Sequence, residues 1–292
     1  MPSENLVGVP RPVTGVRRGK TELLEWAGQY SASVGPAAEG CAGLISRLLE
    51  TGSLDDTVID RLLELLEILE KLSADPVTIS CAVVHVASLG GAVRAEILDA
   101  LPGQVRKQLE ELNKLKHYES GQSESGTERS AEGLRRLLLA LVNDVRVVLI
   151  DLSWQLVLLR RAREDTELAE SLARETALIH APLANRLGIW QLKWELEDLS
   201  FRYQEPAQYR KVAQLVAEHR TERERFISAF MSKLRDALET AGISAEVRGR
   251  PKHIYSIWKK MQRKGLDFHQ LFDVRAVRVL VEDLPACYSA LG

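Results

Sequence analysis

The sequence predicts a mostly α-helical chain whose last part changes to a strand, a helix and a second strand. Three observations predict it. In VIDRLLELLEILEKL, Ile59, Leu62, Leu63, Leu66 and Leu69 recur at helical spacing. Pro, Gly and Asp punctuate the chain at helix starts and stops rather than at hairpin spacing. Only after about Gly242 does the pattern become Val-rich and alternating, in ISAEVRG and VRAVRVLVE.

Taken in order, residues 1 to about 20 carry Pro, Gly and basic side chains without periodicity and read as a mobile tail. Residues 21 to about 117 are helix-rich, with Asp55 and Asp56 suited to a first turn. Asp75-Pro76 ends one helix and opens the next, and Gly90-Gly91 marks a turn. The Gly- and Ser-rich run YESGQSESGTERSAEG (118–133) reads as an internal loop, and the apolar stretch from Leu134 to Arg160 as a buried helix. More helix follows, broken near Pro182 and Gly188. Pro206 suits the first position of a helix running to about Thr240, with Arg220 and Glu224 on one face and Gly242 as its stop. The helix IYSIWKKMQRKG then separates two strands, and the chain ends within a further helix at ACYSALG. A two-stranded sheet is marginal by itself, so this ending reads as unfinished.

Composition bounds the function. Of 292 residues, 45% are hydrophobic and 27% charged, which fits a soluble globular protein. The formal charge of −2 leaves no global basic field, so direct nucleic-acid binding is not expected and a phosphate-binding surface must be local. Cys41, Cys81 and Cys287 are odd in number and form no C-x-x-C, which favours a reducing, cytoplasmic setting. The N-terminus has no apolar signal region, and charges interrupt the most apolar stretch, so no membrane association is expected.

Chemistry concentrates in GRPKHIYSIWKKM (249–261), where Arg250, Lys252, His253, Lys259 and Lys260 surround a strand-to-helix junction. Such a junction is expected to offer free backbone N–H groups to an anion. Arg adds a bidentate fork and Lys a point charge, the equipment for a polyphosphate. A solvated basic patch is the plainer reading of composition alone. Asp273, in LFDVRAVRVL, could hold Mg²⁺ together with substrate phosphates, or could simply cap a strand entry.

The runs HAPLANRLGIWQLKWELEDLSFRY, GRPKHIYSIWKKM and LFDVRAVRVL, in that order, closely resemble the RelA/SpoT proteins, from about Asp55 to the last residue. The resemblance implies a degenerate HD-type hydrolase domain over 21–170, connecting helices over 171–225, and the N-terminal part of an α/β nucleotidyltransferase domain, a (p)ppGpp synthetase, over 226–292. Its implied reaction moves pyrophosphate from ATP to the 3′-hydroxyl of GTP or GDP. Arg250, Lys252, Ser256 and Lys260 would then bind ATP phosphates, and Asp273 would hold Mg²⁺.

Two departures qualify the resemblance. The family's active hydrolases bind a metal through a His, a His-Asp pair and a later Asp. Here the pair reads His85-Val86, Leu89 and Gly90 replace a following acidic pair, the later Asp position is Trp154, and RLLELLEIL holds no His. One imidazole in an apolar helix is the pattern of a packed core histidine, as in the synthesis-only branch. The family's synthetase also continues past these residues, to a guanine-stacking Tyr and a second metal carboxylate, and the ribosome-sensing regions of full-length members are absent here. The expectation is therefore a GTP pyrophosphokinase fragment that is inactive alone. A non-enzymatic helical interaction module is the alternative, and a metal-dependent ppGpp hydrolase is disfavoured.

Overall fold

The computed structural model describes residues 18–90, 93–122, 144–218, 220–271 and 275–292. They are mostly α-helical, with one small sheet, as the sequence predicts. The chain divides into two compact units between Leu196 and Glu197.

In the first unit, α1 (Lys20–Val34) and α4 (Pro76–Gly90) pack on α3 (Asp56–Lys71), and α2 (Glu39–Glu50) packs on α1 and α4. The Asp55 carboxylate caps α3 by accepting from the Val58 N–H at 2.7 Å. Asp75 does the same for α4, at 2.8 Å from the Thr78 N–H, and Pro76 opens the helix where its missing N–H costs nothing. Ile59, Leu62, Leu63, Leu66 and Leu69 are buried, and so are Leu65 and Ile68, so α3 is enclosed almost all round. Gly90 serves close packing. A Cβ there would lie 2.5 Å from Val58 Cγ2.

Beyond α5 (Ala95–Asp99), helix α6 (Gly103–Gln122) runs into the stretch read as a loop: residues 118–122 are helical. Adding residues to a helix already packed on α4 costs little, and Ser and Gly weaken it only modestly. The rest of that expected loop and Leu134 to Asn143 lie outside the described residues. Helix α7 (Val145–Arg161) is the buried apolar helix, and it packs on α3, α4 and α6.

An ion network closes this unit. Arg161 bonds Asp60 at 2.6 Å and Glu64 at 2.8 Å, while Arg160 bonds Glu64 at 3.0 Å and Glu195 at 2.7 Å. Arg18, in the stretch read as a tail, ion-pairs with Asp60 and Glu67. Burial alone would raise the Asp60 carboxyl, but the guanidiniums of Arg161 and Arg18 hold it below its ordinary range.

Helix α8 (Thr166–Glu175) continues through one π-helical turn (Thr176–His180) into α9 (Ala181–Arg186). Pro182 has no N–H for the regular ladder, which accounts for the widened turn just before it. Gly188, at φ +72°, ends α9 in the left-handed region.

The boundary between the units falls inside α10 (Trp190–Gln204). The second unit adds α11 (Pro206–Glu218), α12 (Arg220–Thr240), β1 (Ala245–Pro251), α13 (Ile254–Lys264), β2 (Arg275–Val281) and α14 (Leu284–Leu291). The stretch expected to be helical from Pro206 to Thr240 is so over α11 and α12, while residue 219 and the side chains of Arg220 and Glu224 lie outside the described residues. Gly242, at φ +70°, stops α12 as expected. The strands pair antiparallel, Val247 opposite Val279 and Gly249 opposite Val277. This sheet packs on α12, whose Arg235 donates to the Val247 carbonyl at 3.0 Å. The core of this unit joins Phe201, Tyr209, Val212, Val216, Ile254, Ile257, Phe268 and Leu271.

All three cysteines are free. Burial pushes the Cys41 and Cys81 thiols up to about 11 and about 12, whereas Cys287 is exposed.

Candidate functional site

The basic segment sits where β1 passes into α13. Arg250 stands near the end of β1, opposite Ala276 in the register. Lys252 and His253 make the link, and His253 is the extended residue before the helix, at φ −69°, ψ 149°. Helix α13 is strongly two-faced. Ile254 and Ile257 are buried in the core, and Tyr255, Trp258 and Met261 pack against it. Ser256 and Lys260, four residues apart, share a face of the helix, and both are partly exposed. The Lys259 ammonium lies 5.4 Å over the Tyr255 ring, which holds it along the helix.

Behind the helix stands an aromatic wall. The Phe201 ring is 4.5 Å from Trp258, 5.6 Å from Tyr255 and 5.9 Å from Tyr209. Within it α10 presents a carboxylate. Asp198, 1% exposed, accepts from the Tyr255 N–H at 2.8 Å, and its other oxygen lies 3.4 Å from His253 Nδ1. Burial, then the Asp198 charge, pushes the Tyr209 phenol up to about 12. The helix end expected to offer open N–H groups to an anion is thus partly taken. A carboxylate at a helix N-terminus is favourable, and it closes the Tyr255 N–H to any other anion. Asp273, the expected Mg²⁺ ligand, lies outside the described residues.

Each of the two units contains a part similar to a known family. Residues 42–190 match the HD domain, and residues 249–292 match the region found in RelA / SpoT proteins. The chain belongs to the RelA/SpoT family. It is similar to the GTP pyrophosphokinase of Photobacterium angustum, 40% identical over 278 residues, which are 93% of this chain and 37% of that protein. The Escherichia coli GTP pyrophosphokinase is 42% identical over 234 residues, 78% of this chain and 32% of the relative. A Synechocystis protein named probable guanosine-3′,5′-bis(diphosphate) 3′-pyrophosphohydrolase is 40% identical over 228 residues, 77% of this chain and 30% of its own. The chain thus spans about a third of the length of these RelA/SpoT relatives.

Within the HD part, the positions read against a RelA/SpoT metal site do not make one. His85 is on α4, 5% exposed among Val83, Val84 and Val86, and Trp154 is buried on α7. Burial drives the His85 imidazole down to about 4, with Lys116 adding to the shift and Asp151 opposing it. One turn before Trp154, Asp151 is buried and ion-paired with Lys116 of α6, with His180 Nε2 at 3.5 Å. Burial alone would raise this carboxyl, but Lys116 and His180 hold it low. Among the described residues no three His, Cys, Asp or Glu side chains group to hold a metal ion. A hydrolytic metal would need several such ligands with an open position, and the described residues do not supply them.

Sequence reasoning missed Asp198, Asp151, Lys116 and His180. A usable signal was present for Asp198: it stands in LEDLSF, between the buried Leu196 and Leu199, where helical periodicity puts an acid on an inward-facing stripe.

Proposed function

We propose that residues 249–292 form the ATP-phosphate-binding part of a (p)ppGpp synthetase, which moves pyrophosphate from ATP to the 3′-hydroxyl of GTP or GDP. The observation that carries this reading is the β1–α13 junction, with Arg250 near the end of β1, Lys252 in the link, and Ser256 and Lys260 one turn apart along α13. Three cationic residues and a hydroxyl thus follow one another within eleven residues of chain, beside the aromatic core. Transfer of this kind is catalysed mainly by alignment and charge neutralisation rather than by a nucleophilic side chain. In this reading Arg250 and Lys252 grip phosphate oxygens, Lys260 adds a second point charge, and Ser256 donates a hydrogen bond. Asp273 supplies a hard oxygen donor for Mg²⁺, which, when bound, would offset charge on the phosphates. The names of the Photobacterium angustum and Escherichia coli relatives support the assignment.

Residues 21–170 then act as a scaffold that has lost its hydrolase chemistry, despite the hydrolase name of the Synechocystis relative, because His85, Val86 and Trp154 provide no ligand set. Contact with the ribosome, if the parent protein makes it, belongs to parts of the relatives that have no counterpart in this chain. The cytoplasm is the proposed setting.

The test has two arms. The 292 residues alone, incubated with MgATP and GTP, should bind ATP and form no ppGpp by chromatography. Joined to the remaining part of the Photobacterium angustum enzyme, they should form ppGpp, and Asp273→Ala should abolish it. Full synthesis by the Asp273→Ala chimera, or ATP binding unchanged by Lys252→Ala, would overturn the assignment.

A further inference from the structure

We infer that Asp198 is a positioning residue for this site: its buried carboxylate clamps the β1–α13 turn so that Lys252 and Ser256 are held ready for phosphates. The inference rests on the proposed ATP-phosphate site. A carboxylate beside a site for polyanions looks counterproductive, and burying one is costly unless it is paired. Asp198 is 1% exposed, accepts from the Tyr255 N–H at 2.8 Å through one oxygen and faces His253 Nδ1 at 3.4 Å with the other. Those partners are chosen tellingly. Lys252 immediately precedes His253, and Ser256 immediately follows Tyr255. The clamp therefore brackets the turn on both sides and ties it to α10, a helix 57 residues earlier in sequence.

The clamp also decides what meets the phosphates. With Asp198 on the Tyr255 N–H, the anion is left to side chains whose direction the fixed turn sets. Pre-organising such ligands lowers the ordering cost of binding. The second Asp198 oxygen, 3.4 Å from Nδ1, also sets a negative charge against the imidazole.

Three variants test this in the full 292-residue chain, with MgATP and inorganic tripolyphosphate as probes in titration calorimetry. Asp198→Asn keeps an oxygen for the Tyr255 N–H but replaces the charge facing His253. It should melt cooperatively, shift the His253 imidazole signals in long-range ¹H–¹⁵N spectra, and weaken both probes alike by about tenfold. Unchanged binding by a folded Asp198→Asn overturns the inference. Should that variant fail to fold, His253→Ala opens the clamp from the other end. It too must weaken tripolyphosphate, and unaltered affinity sinks the idea. Lys252→Ala separates the two readings. If the parent chain binds neither probe, or Lys252→Ala binds both as well as the parent, the ATP-phosphate reading fails and takes this inference with it. If Lys252→Ala loses binding while both clamp variants keep it, only the role of Asp198 falls.

Discussion

His85 shows how much one residue can reveal. Its place in CAVVHVASLGG identifies a packed histidine, and the structure buries it. Its imidazole is pushed from 6.5 to about 4, so the unfolded chain takes up this proton more readily than the folded one. Stability from this group is therefore complete above about pH 6.5 and drains away as pH falls toward about 4, by about 3 kcal/mol in all. Urea unfolding across that range should show this loss, and His85→Leu should flatten it while costing less than about 3 kcal/mol at pH 7. A slope equally steep in His85→Leu would assign the acid sensitivity to other groups. The same sequence gave no hint of the Lys116–Asp151–His180 cluster nearby. Those residues lie on different elements, and only the packing of α6, α7 and the π-helical turn brings them together.

At the scale of elements, the local signals were reliable and the long-range ones were not. The helix start at Asp55-Asp56, the break at Asp75-Pro76, the Pro206 start and the Gly242 stop depend on neighbours within a turn, so they are legible, although the capping bonds of Asp55 and Asp75 come from the structure. The strand–helix–strand order was legible from alternation in the same way. The end of the loop at residue 118 was misjudged, because Gly and Ser report weak propensity while tertiary packing decides whether a helix continues. For the candidate site, residue types could be read from GRPKHIYSIWKKM, but the partner that orders them comes from α10. Phe201 makes that partnership mechanical. It touches Tyr209, Tyr255 and Trp258 from α10 and joins α11 to α13. Phe201→Ala should cost about 3–5 kcal/mol in chemical unfolding, through lost burial and the cavity it leaves. A cost below about 1 kcal/mol would mean that the aromatic wall holds without it.

The molecule as a whole is two compact units, one helical and one carrying the small sheet. Among the described residues no helix is long and apolar enough to cross a membrane. The ion network of Asp60, Glu64, Arg160, Arg161 and Glu195 is local to the first unit, as are Cys41 and Cys81, while Cys287 belongs to the second. That division of the thiols has a practical consequence. Only thiolates alkylate, and the two buried thiols are both shielded and held protonated, so iodoacetamide at neutral pH should place one adduct on the native chain and three on the unfolded chain. Intact-mass spectra showing three adducts on the native protein at the rate of Cys287 would contradict the burial of Cys41 and Cys81. Followed along a denaturant series, the adduct number becomes a built-in counter: the step from one to three marks the opening of the helical unit, whatever is happening around residue 287.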